Sequence, residues 1–219
     1  LFNSGLSQVF LKSASEDISK KNIKALVSKI LPRLIMLGLL PLMLLSLIGE
    51  ELFSMIFGNQ WGEAGLYAQI LSIWCFSAFL VQPLAHIINV FEKQKEGLII
   101  NIIRLAIRIG TLIYCVSIKI NIIETIIYFS LAGAFSNFLF LFYLLKISGN
   151  TLKEFSSFSI KYFFYAVVFC SPLYIVQQFY NFAGFALIFL SIFLLFSYGI
   201  FILMIDNGFR KLVYKAILR

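Results

Sequence analysis

The sequence predicts an all-α protein, a polytopic transmembrane bundle of about six helices, and three observations predict it. Of the 219 residues, 61% are hydrophobic and 13% are charged, whereas about a quarter of an average soluble domain is charged. Six segments are mostly apolar over about 20 residues or more, the length that crosses a hydrocarbon core about 30 Å thick. Basic residues are concentrated in alternate connections between these segments, which is the pattern of the positive-inside rule.

The predicted spans follow one another with short connections. They run approximately over Ile30 to Phe57, Tyr67 to Phe91, Leu98 to Ile118, Ile122 to Leu145, Phe158 to Phe179 and Phe182 to Ile205. Ahead of them, Ser13 to Lys29 begins polar and then places Ile18, Ile23 and Leu26 at helical spacing, which favours an amphipathic segment on the membrane surface. The sequence therefore predicts three parts: residues 1–29 as the end of a preceding helix and a cytoplasmic linker, 30–147 as a four-helix part, and 148–219 as two accessory helices and a basic tail.

The placement of the basic residues predicts the orientation. On one predicted side lie Lys12, Lys20, Lys21, Lys24, Lys29, Arg33, Lys93, Lys95, Lys146, Lys153, Lys161, Arg210, Lys211, Lys215 and Arg219. Lys119 alone lies on the other side. Both ends of the chain are therefore expected in the cytoplasm. The net charge of +8 is explained by these topology signals, and no nucleic-acid motif accompanies them, so nucleic acid is not expected as a partner.

The first and the rarest residues add further expectations. Residue 1 is Leu, and the opening LFNSGLSQVFL resembles the end of an apolar helix, so we expect the chain to be a fragment whose upstream half is missing. Cys75, Cys115 and Cys170 are widely spaced in apolar segments, and the chain has one histidine. The pattern therefore predicts neither a metal site nor a disulfide framework.

A polar stripe marks the third predicted span. Asn101, Arg104, Arg108 and Thr111 are three, four and three residues apart, which places them on one helical face. A guanidinium in lipid costs about 3 kcal/mol on insertion scales unless it meets water, a counter-charge or a headgroup. Two interpretations stay open. In one, Arg104 snorkels to the cytoplasmic interface and Arg108 follows it or meets a partner helix; in the other, the stripe faces a hydrated cavity, with Arg108 near the midplane as the better ligand.

Two other spans carry polar or small residues. The second span holds Gln82, His86 and Asn89 on one face, and such side chains form interhelical hydrogen bonds more often than transport sites. His86 has no acidic or histidine partner at a spacing suited to metal binding or nucleophilic catalysis. In the fourth span, Ser130, Ala134 and Asn137 share a face beside Gly133, a pattern that predicts a close helix contact.

Two stretches resemble a known family. The segment LSQVFLKSASED, Leu6 to Asp17, looks like the cytoplasmic end of a repeat's second helix. The junction Ile56-Phe57-Gly58-Asn59-Gln60-Trp61, followed by Ala64 and Tyr67, looks like an outer loop with the phrase FG..W..A, and Gln94-Lys95 resembles the following cytoplasmic turn. These features resemble the Wzx-type polysaccharide flippases of bacterial O-antigen and capsule assembly, within the multidrug/oligosaccharidyl-lipid/polysaccharide exporter superfamily.

The resemblance implies a fold and a function. The six spans would be similar to helices nine to fourteen of a fourteen-helix fold, and thus to its second lobe with two extra helices. The implied activity is transport of undecaprenyl-diphosphate-linked oligosaccharide across the bacterial inner membrane by alternating access, without enzymatic chemistry or a cofactor. Membrane lipids, a polysaccharide polymerase and chain-length proteins would be its other partners. The residues whose chemistry suits substrate binding are Arg108, Arg104, Asn101, Gln82, His86 and Asn89.

Two other functions remain open at the level of the sequence. A cation-coupled multidrug exporter of the same superfamily would need an acidic residue within a span, whereas Glu124 and Asp206 lie at span ends. A membrane polysaccharide polymerase would need a large outer loop with catalytic polar residues. The longest predicted outer segment, Gly49 to Glu63, is short, and its glutamates show no evident acid/base pairing.

Overall fold

The computed structural model describes residues 20–179, 184–205 and 210. These residues are helical almost throughout, and no strand occurs among them, so the predicted all-α class is confirmed. Six of the described helical segments are long and apolar enough to cross a membrane, as a multi-pass membrane protein requires. The predicted helix end at LFNSGLSQVFL, the Leu6 to Asp17 motif and the basic residues after Arg210 lie outside the described residues.

The helices are joined by short connections. In chain order they are α1 (Lys20–Phe57), α2 (Gly62–Leu84), α3 (Ile87–Val90), α4 (Gln94–Ser117), α5 (Ile122–Ser148), α6 (Leu152–Phe179) and α7 (Gly184–Ile205), with a 3-10 turn at Asn59–Trp61 between α1 and α2. Asn121 caps α5, because its side-chain oxygen accepts a hydrogen bond from the Glu124 amide at 2.8 Å. Gly149 ends α5 in the left-handed conformation (φ 79°).

Several helix ends differ from the predicted ones. The first helix begins at Lys20, ahead of the predicted span start at Ile30, because Ile23 and Val27 are buried and continue the apolar face of α1. The described part of the predicted surface linker is thus continuous with the first helix. The second predicted span is interrupted after Leu84, one residue beyond Pro83, and resumes as the short α3. Pro83 lacks the amide that would bond the Phe79 carbonyl, which weakens the last turn of α2.

The one residue of α1 with non-helical backbone angles is not next to either of its prolines. Kinks are expected at Pro32 and Pro41, whereas the backbone leaves the helical region at Ile48 (φ −122°, ψ 18°). The side chain of Gln69, on α2, donates a hydrogen bond to the Leu47 carbonyl at 3.0 Å. A neighbouring helix thereby satisfies a backbone acceptor beside the irregular residue, as membrane helices require.

The described residues form two compact units. The first comprises those of Leu1–Gly38 and Ile70–Ile160. In it, α4 packs against α5, and α3 contacts both. Large side chains that are almost fully buried in this unit are Ile23, Leu34, Ile35, Leu80, Leu84, Ile87, Phe140, Leu141, Leu144 and Leu145. The Phe79 ring of α2 packs against Gly38 of α1, where an added Cβ would lie 2.7 Å from the ring.

The second unit comprises the described residues of Leu39–Gln69 and Lys161–Arg219. Here α1 and α2 cross at two glycines, and a Cβ on Gly65 would lie 2.4 Å from the Gly49 carbonyl oxygen. Aromatic rings join α6 to α7, with the Phe169 and Tyr198 centroids 5.2 Å apart. Small residues at the helix contact and large apolar residues elsewhere are typical of helices that pack within a bilayer.

Candidate functional site

The site is built on α4, whose polar face points into the first unit. Gly97 and Cys115, the two buried residues of α4, continue the spacing of Asn101, Arg104, Arg108 and Thr111 along the same face. On the other faces the apolar side chains are exposed, up to 74% for Val116. This is the reverse of a water-soluble amphipathic helix, and it is the arrangement expected when the solvent around α4 is lipid.

The N-terminal end of α4 is held by a polar cluster. Glu96, in the first turn, accepts hydrogen bonds from Lys93 Nζ at 2.8 and 3.0 Å. The hydroxyl of Tyr143, on α5, donates to the same carboxylate. A carboxylate near a helix N-terminus is also favoured by the helix dipole. These contacts tie α4 to α5 and thereby position the two arginines that follow.

Arg104 lies at the centre of a hydrogen-bond network that joins three helices. Its Nη1 donates to Asn101 Oδ1 at 2.9 Å, and its Nη2 donates to Asn137 Oδ1 on α5. Asn137 Nδ2 in turn donates to Ser77 Oγ on α2 at 2.9 Å. The guanidinium also lies 4.8 Å from the Phe140 ring centroid, within the range of a cation–π contact. Arg104 therefore meets a partner helix.

Arg108 has weaker contacts. Its Nε donates to the Arg104 carbonyl at 3.3 Å, and its guanidinium carbon lies 5.9 Å from the Trp74 ring centroid. The Trp74 ring contacts Phe129, whose ring centroid is 5.5 Å away. It also packs directly against Gly133, where a side chain would leave no room for it. Arg108 is half-buried in this setting. Its guanidinium thus lies beside an aromatic wall with few hydrogen-bond acceptors.

Neither arginine is neutralised within the described part of the chain. No carboxylate lies within ion-pair distance of either guanidinium there, whereas Glu96 pairs with Lys93 at 2.8 Å and Glu154 approaches Lys24 at 4.0 Å. The Nε of Arg104 is buried and has no hydrogen-bond acceptor among the described residues. The midpoint of the 24-residue α4 falls between Arg104 and Arg108. The arrangement therefore presents two adjacent positive charges halfway along a membrane-spanning helix.

The other predicted site residues are separate from this network. Gln82 and Asn89 are exposed, and His86 is half-buried in the interruption between α2 and α3. Within the described residues, the side chains of these three make no hydrogen bond to another residue. Thr111 donates to the Ile107 carbonyl at 2.8 Å and so is satisfied within its own helix. Of the six predicted binding residues, only Asn101, Arg104 and Arg108 are brought together.

The predicted small-residue face of α5 is confirmed as a close helix contact. Ser130, Ala134 and Asn137 are buried, and Ser130 Oγ donates to the Ile70 carbonyl on α2 at 2.8 Å. A Cβ on Gly133 would lie 2.6 Å from the Trp74 ring. The role of Asn137 as the acceptor for Arg104 was not predicted. Its signal in the sequence is a carboxamide in the middle of an apolar span, which needs a hydrogen-bonding partner.

The described residues hold no group of three or more His, Cys, Asp and Glu side chains that could bind a metal ion. No protein-family model, curated protein or solved structure matches this chain.

Proposed function

We propose that this protein transports an undecaprenyl-diphosphate-linked oligosaccharide across the bacterial inner membrane by alternating access, as a flippase for O-antigen or capsule synthesis. The observation that supports this most directly is the pair Arg104 and Arg108, on an inward polar face at the middle of α4 and without a carboxylate partner among the described residues. Charge at that depth is expensive and usually functional. An anion that visits the site and leaves again accounts for cations that lack a permanent counter-ion.

The chemistry of a diphosphate suits this pair. A guanidinium stays charged and can donate two parallel hydrogen bonds to phosphate oxygens. Arg104 and Arg108 are one helical turn apart, so their like charges repel, and an anion placed between them relieves that repulsion. Neutral partners such as Asn101 and Asn137 orient the guanidinium of Arg104 without cancelling its charge.

Two observations favour this function over the alternatives. A cation-coupled exporter needs a carboxylate near the middle of a span, but Glu63, Glu96, Glu124 and Glu154 each lie in the first turn of a helix. Glu50 and Glu51 lie within the candidate span of α1, but only about two turns from its end. A polymerase needs a substantial catalytic loop, whereas the connection between α1 and α2 is Gly58 and one 3-10 turn.

The proposal is tested with Arg104→Ala and Arg108→Ala in a host that depends on this protein for surface polysaccharide. A hydrogen bond to a charged group contributes about 1.5–3 kcal/mol, and about 1.4 kcal/mol is a factor of ten. We therefore expect each variant to lower surface polysaccharide about tenfold or more while lipid-linked repeat units accumulate in the cytoplasmic leaflet.

Lys146→Ala is the matched control, because Lys146 is an exposed cation in the last turn of α5. We expect it to leave export unchanged. Normal export by both arginine variants at wild-type protein abundance would exclude the proposed role of the pair. Loss of export without accumulation of lipid-linked repeat units would indicate an earlier biosynthetic step and would contradict the flippase proposal.

A further inference from the structure

A groove of about 260 Å³ runs between α4 and α5 in the first unit. Its lining residues are Ile100, Ile103, Arg104 and Ile107 on α4 and Ser136, Leu139, Phe140 and Tyr143 on α5. Ile103 is 51% exposed and Leu139 is 47% exposed, so the groove opens onto the outer surface of these two helices. It is therefore accessible from the surrounding lipid.

The polar groups of the groove differ in how well they are satisfied. Ser136 Oγ donates to the Gly133 carbonyl at 2.9 Å, and the Tyr143 hydroxyl donates to Glu96. Arg104 instead carries a charge without a carboxylate partner, and its Nε has no acceptor among the described residues. The groove thus combines an apolar wall with one cation, whose remaining hydrogen-bond donor is buried in this conformation.

The size and lining of the groove suit a hydrocarbon chain better than a sugar. Pockets that enclose a drug-sized ligand measure about 300–1,000 Å³, so about 260 Å³ holds only a short segment of a chain. A sugar would also need several hydrogen-bonding partners, and Arg104 is the main one available. A lipid with an anionic group suits both features, because its hydrocarbon chain can pack on the apolar wall and its anion can pair with Arg104.

The position of Arg104 along α4 favours one kind of anionic lipid over another. A resident phospholipid keeps its phosphate at the interface, about 15 Å from the centre of the hydrocarbon core, whereas Arg104 lies near the middle of α4. We propose that the groove binds the first part of the polyprenyl chain of a lipid-linked diphosphate while Arg104 contacts the diphosphate during its passage. This inference rests on the proposed function and adds to it the place where the chain enters the protein.

The contacts of Arg104 suit such a visiting ligand. Its Nε is shielded in this conformation, so contact with phosphate requires a rotation of the side chain toward the groove. The partners that it would leave, Asn101 and Asn137, are neutral. Because neither would be left as an unpaired buried charge, the rotation costs less than breaking a buried ion pair would.

The test uses the intact protein in lipid nanodiscs and two photoreactive lipids. One is a polyprenyl diphosphate with a diazirine in the isoprene unit next to the phosphate, and the other is phosphatidylglycerol with a diazirine in an acyl chain. We expect the diphosphate probe to label the segments around Ile103 and Leu139, and an excess of unlabelled undecaprenyl diphosphate to remove that labelling. Arg104→Gln should reduce it about tenfold.

A matched pair of variants separates groove binding from general lipid contact. Ile103→Trp fills the groove, whereas Ile102→Trp adds the same bulk to a 56% exposed neighbour that does not line it. We expect labelling and transport to fall at least fivefold in the first variant and to stay unchanged in the second. Equal effects of the two variants, or labelling by phosphatidylglycerol that undecaprenyl diphosphate does not compete, would overturn the inference.

The result also distinguishes this inference from the proposed function. Transport that depends on Arg108 but proceeds without labelling of the groove would refute the proposed lipid-binding groove and leave the proposed flippase function standing. Competed labelling of the groove in a protein that transports no lipid-linked oligosaccharide in reconstituted vesicles would support the binding site and refute the proposed function.

Discussion

Gly65→Ala is expected to separate α1 from α2 at their crossing in the second unit. A Cβ at this position would lie 2.4 Å from the Gly49 carbonyl oxygen and 2.7 Å from the Glu50 Cα. Ordinary van der Waals contact begins at 3.4 Å, so the two backbones must move apart by up to about 1 Å, a clash of the kind that overpacking creates. Both contacts are with backbone atoms, and no side-chain rotation can relieve them.

The magnitude follows from two effects. Overpacking of this kind costs about 1–3 kcal/mol. Separation of the helices also weakens the hydrogen bond from Gln69 to the Leu47 carbonyl, which contributes about 1 kcal/mol. For a chain of about this length, 1 kcal/mol changes Tm by about 2–4 °C. We therefore expect Gly65→Ala to lower Tm by about 5–15 °C relative to a matched glycine variant.

The matched variant is Gly110→Ala, because Gly110 is also within a helix and has no atom within 4 Å of its would-be Cβ. Both variants gain the same intrinsic helix propensity, so their difference isolates the clash. The measurement is the loss of monodisperse protein on size exclusion after heating in detergent. Equal Tm values for the two variants would refute a close glycine crossing.

Three further predictions concern helix ends and orientation. Gly149→Ala should destabilise α5 by about 1 kcal/mol, because the φ of 79° is left-handed, whereas Gly149→Asn should be tolerated; thermal unfolding of both variants checks this. Asn121→Ala removes the cap that accepts from the Glu124 amide and should cost about 1 kcal/mol in the same assay. In a Cys75→Ala background, an impermeant thiol reagent added to whole cells should label Gln60→Cys and spare Ser157→Cys if the ends are cytoplasmic; the reverse pattern would invert the predicted orientation.

The apolar pattern was sufficient to predict the fold, because lipid requires each span to satisfy its backbone internally as a helix. The third span was predicted over Leu98 to Ile118 from its apolar residues, and the helix found there is Gln94–Ser117. The shared face of Arg104 and Arg108 follows from their spacing. The early start of α1 was not predicted, because Lys20, Lys21 and Lys24 made that segment look like a surface linker. Hydropathy does not reveal that the buried Ile23 continues the core face.

The partners of the arginines depend on tertiary structure and could not be read from local spacing. Asn137 is 33 positions from Arg104 and 60 from Ser77, and nothing in the sequence indicates that these three meet. The prediction that Gln82, His86 and Asn89 share one face assumed a continuous helix. The interruption after Leu84 places Gln82 in α2 and Asn89 in α3. Helical spacing therefore predicted the shared face on the continuous α4, but not the arrangement of the polar residues that follow Pro83.

The stability of an Arg108 variant decides between a structural and a ligand-binding role for this cation. If Arg108 stabilised the bundle, Arg108→Gln would lower Tm, because removing one partner of a favourable buried contact leaves the other unsatisfied. Its contacts are instead one 3.3 Å hydrogen bond to the Arg104 carbonyl and a ring 5.9 Å away. The variant also removes repulsion with Arg104 and the cost of holding a charge away from water. We expect Tm to be unchanged or to rise by about 2–4 °C, equivalent to about 1 kcal/mol, while transport falls about tenfold; a fall in Tm together with normal transport would assign Arg108 to the fold and remove it from the site.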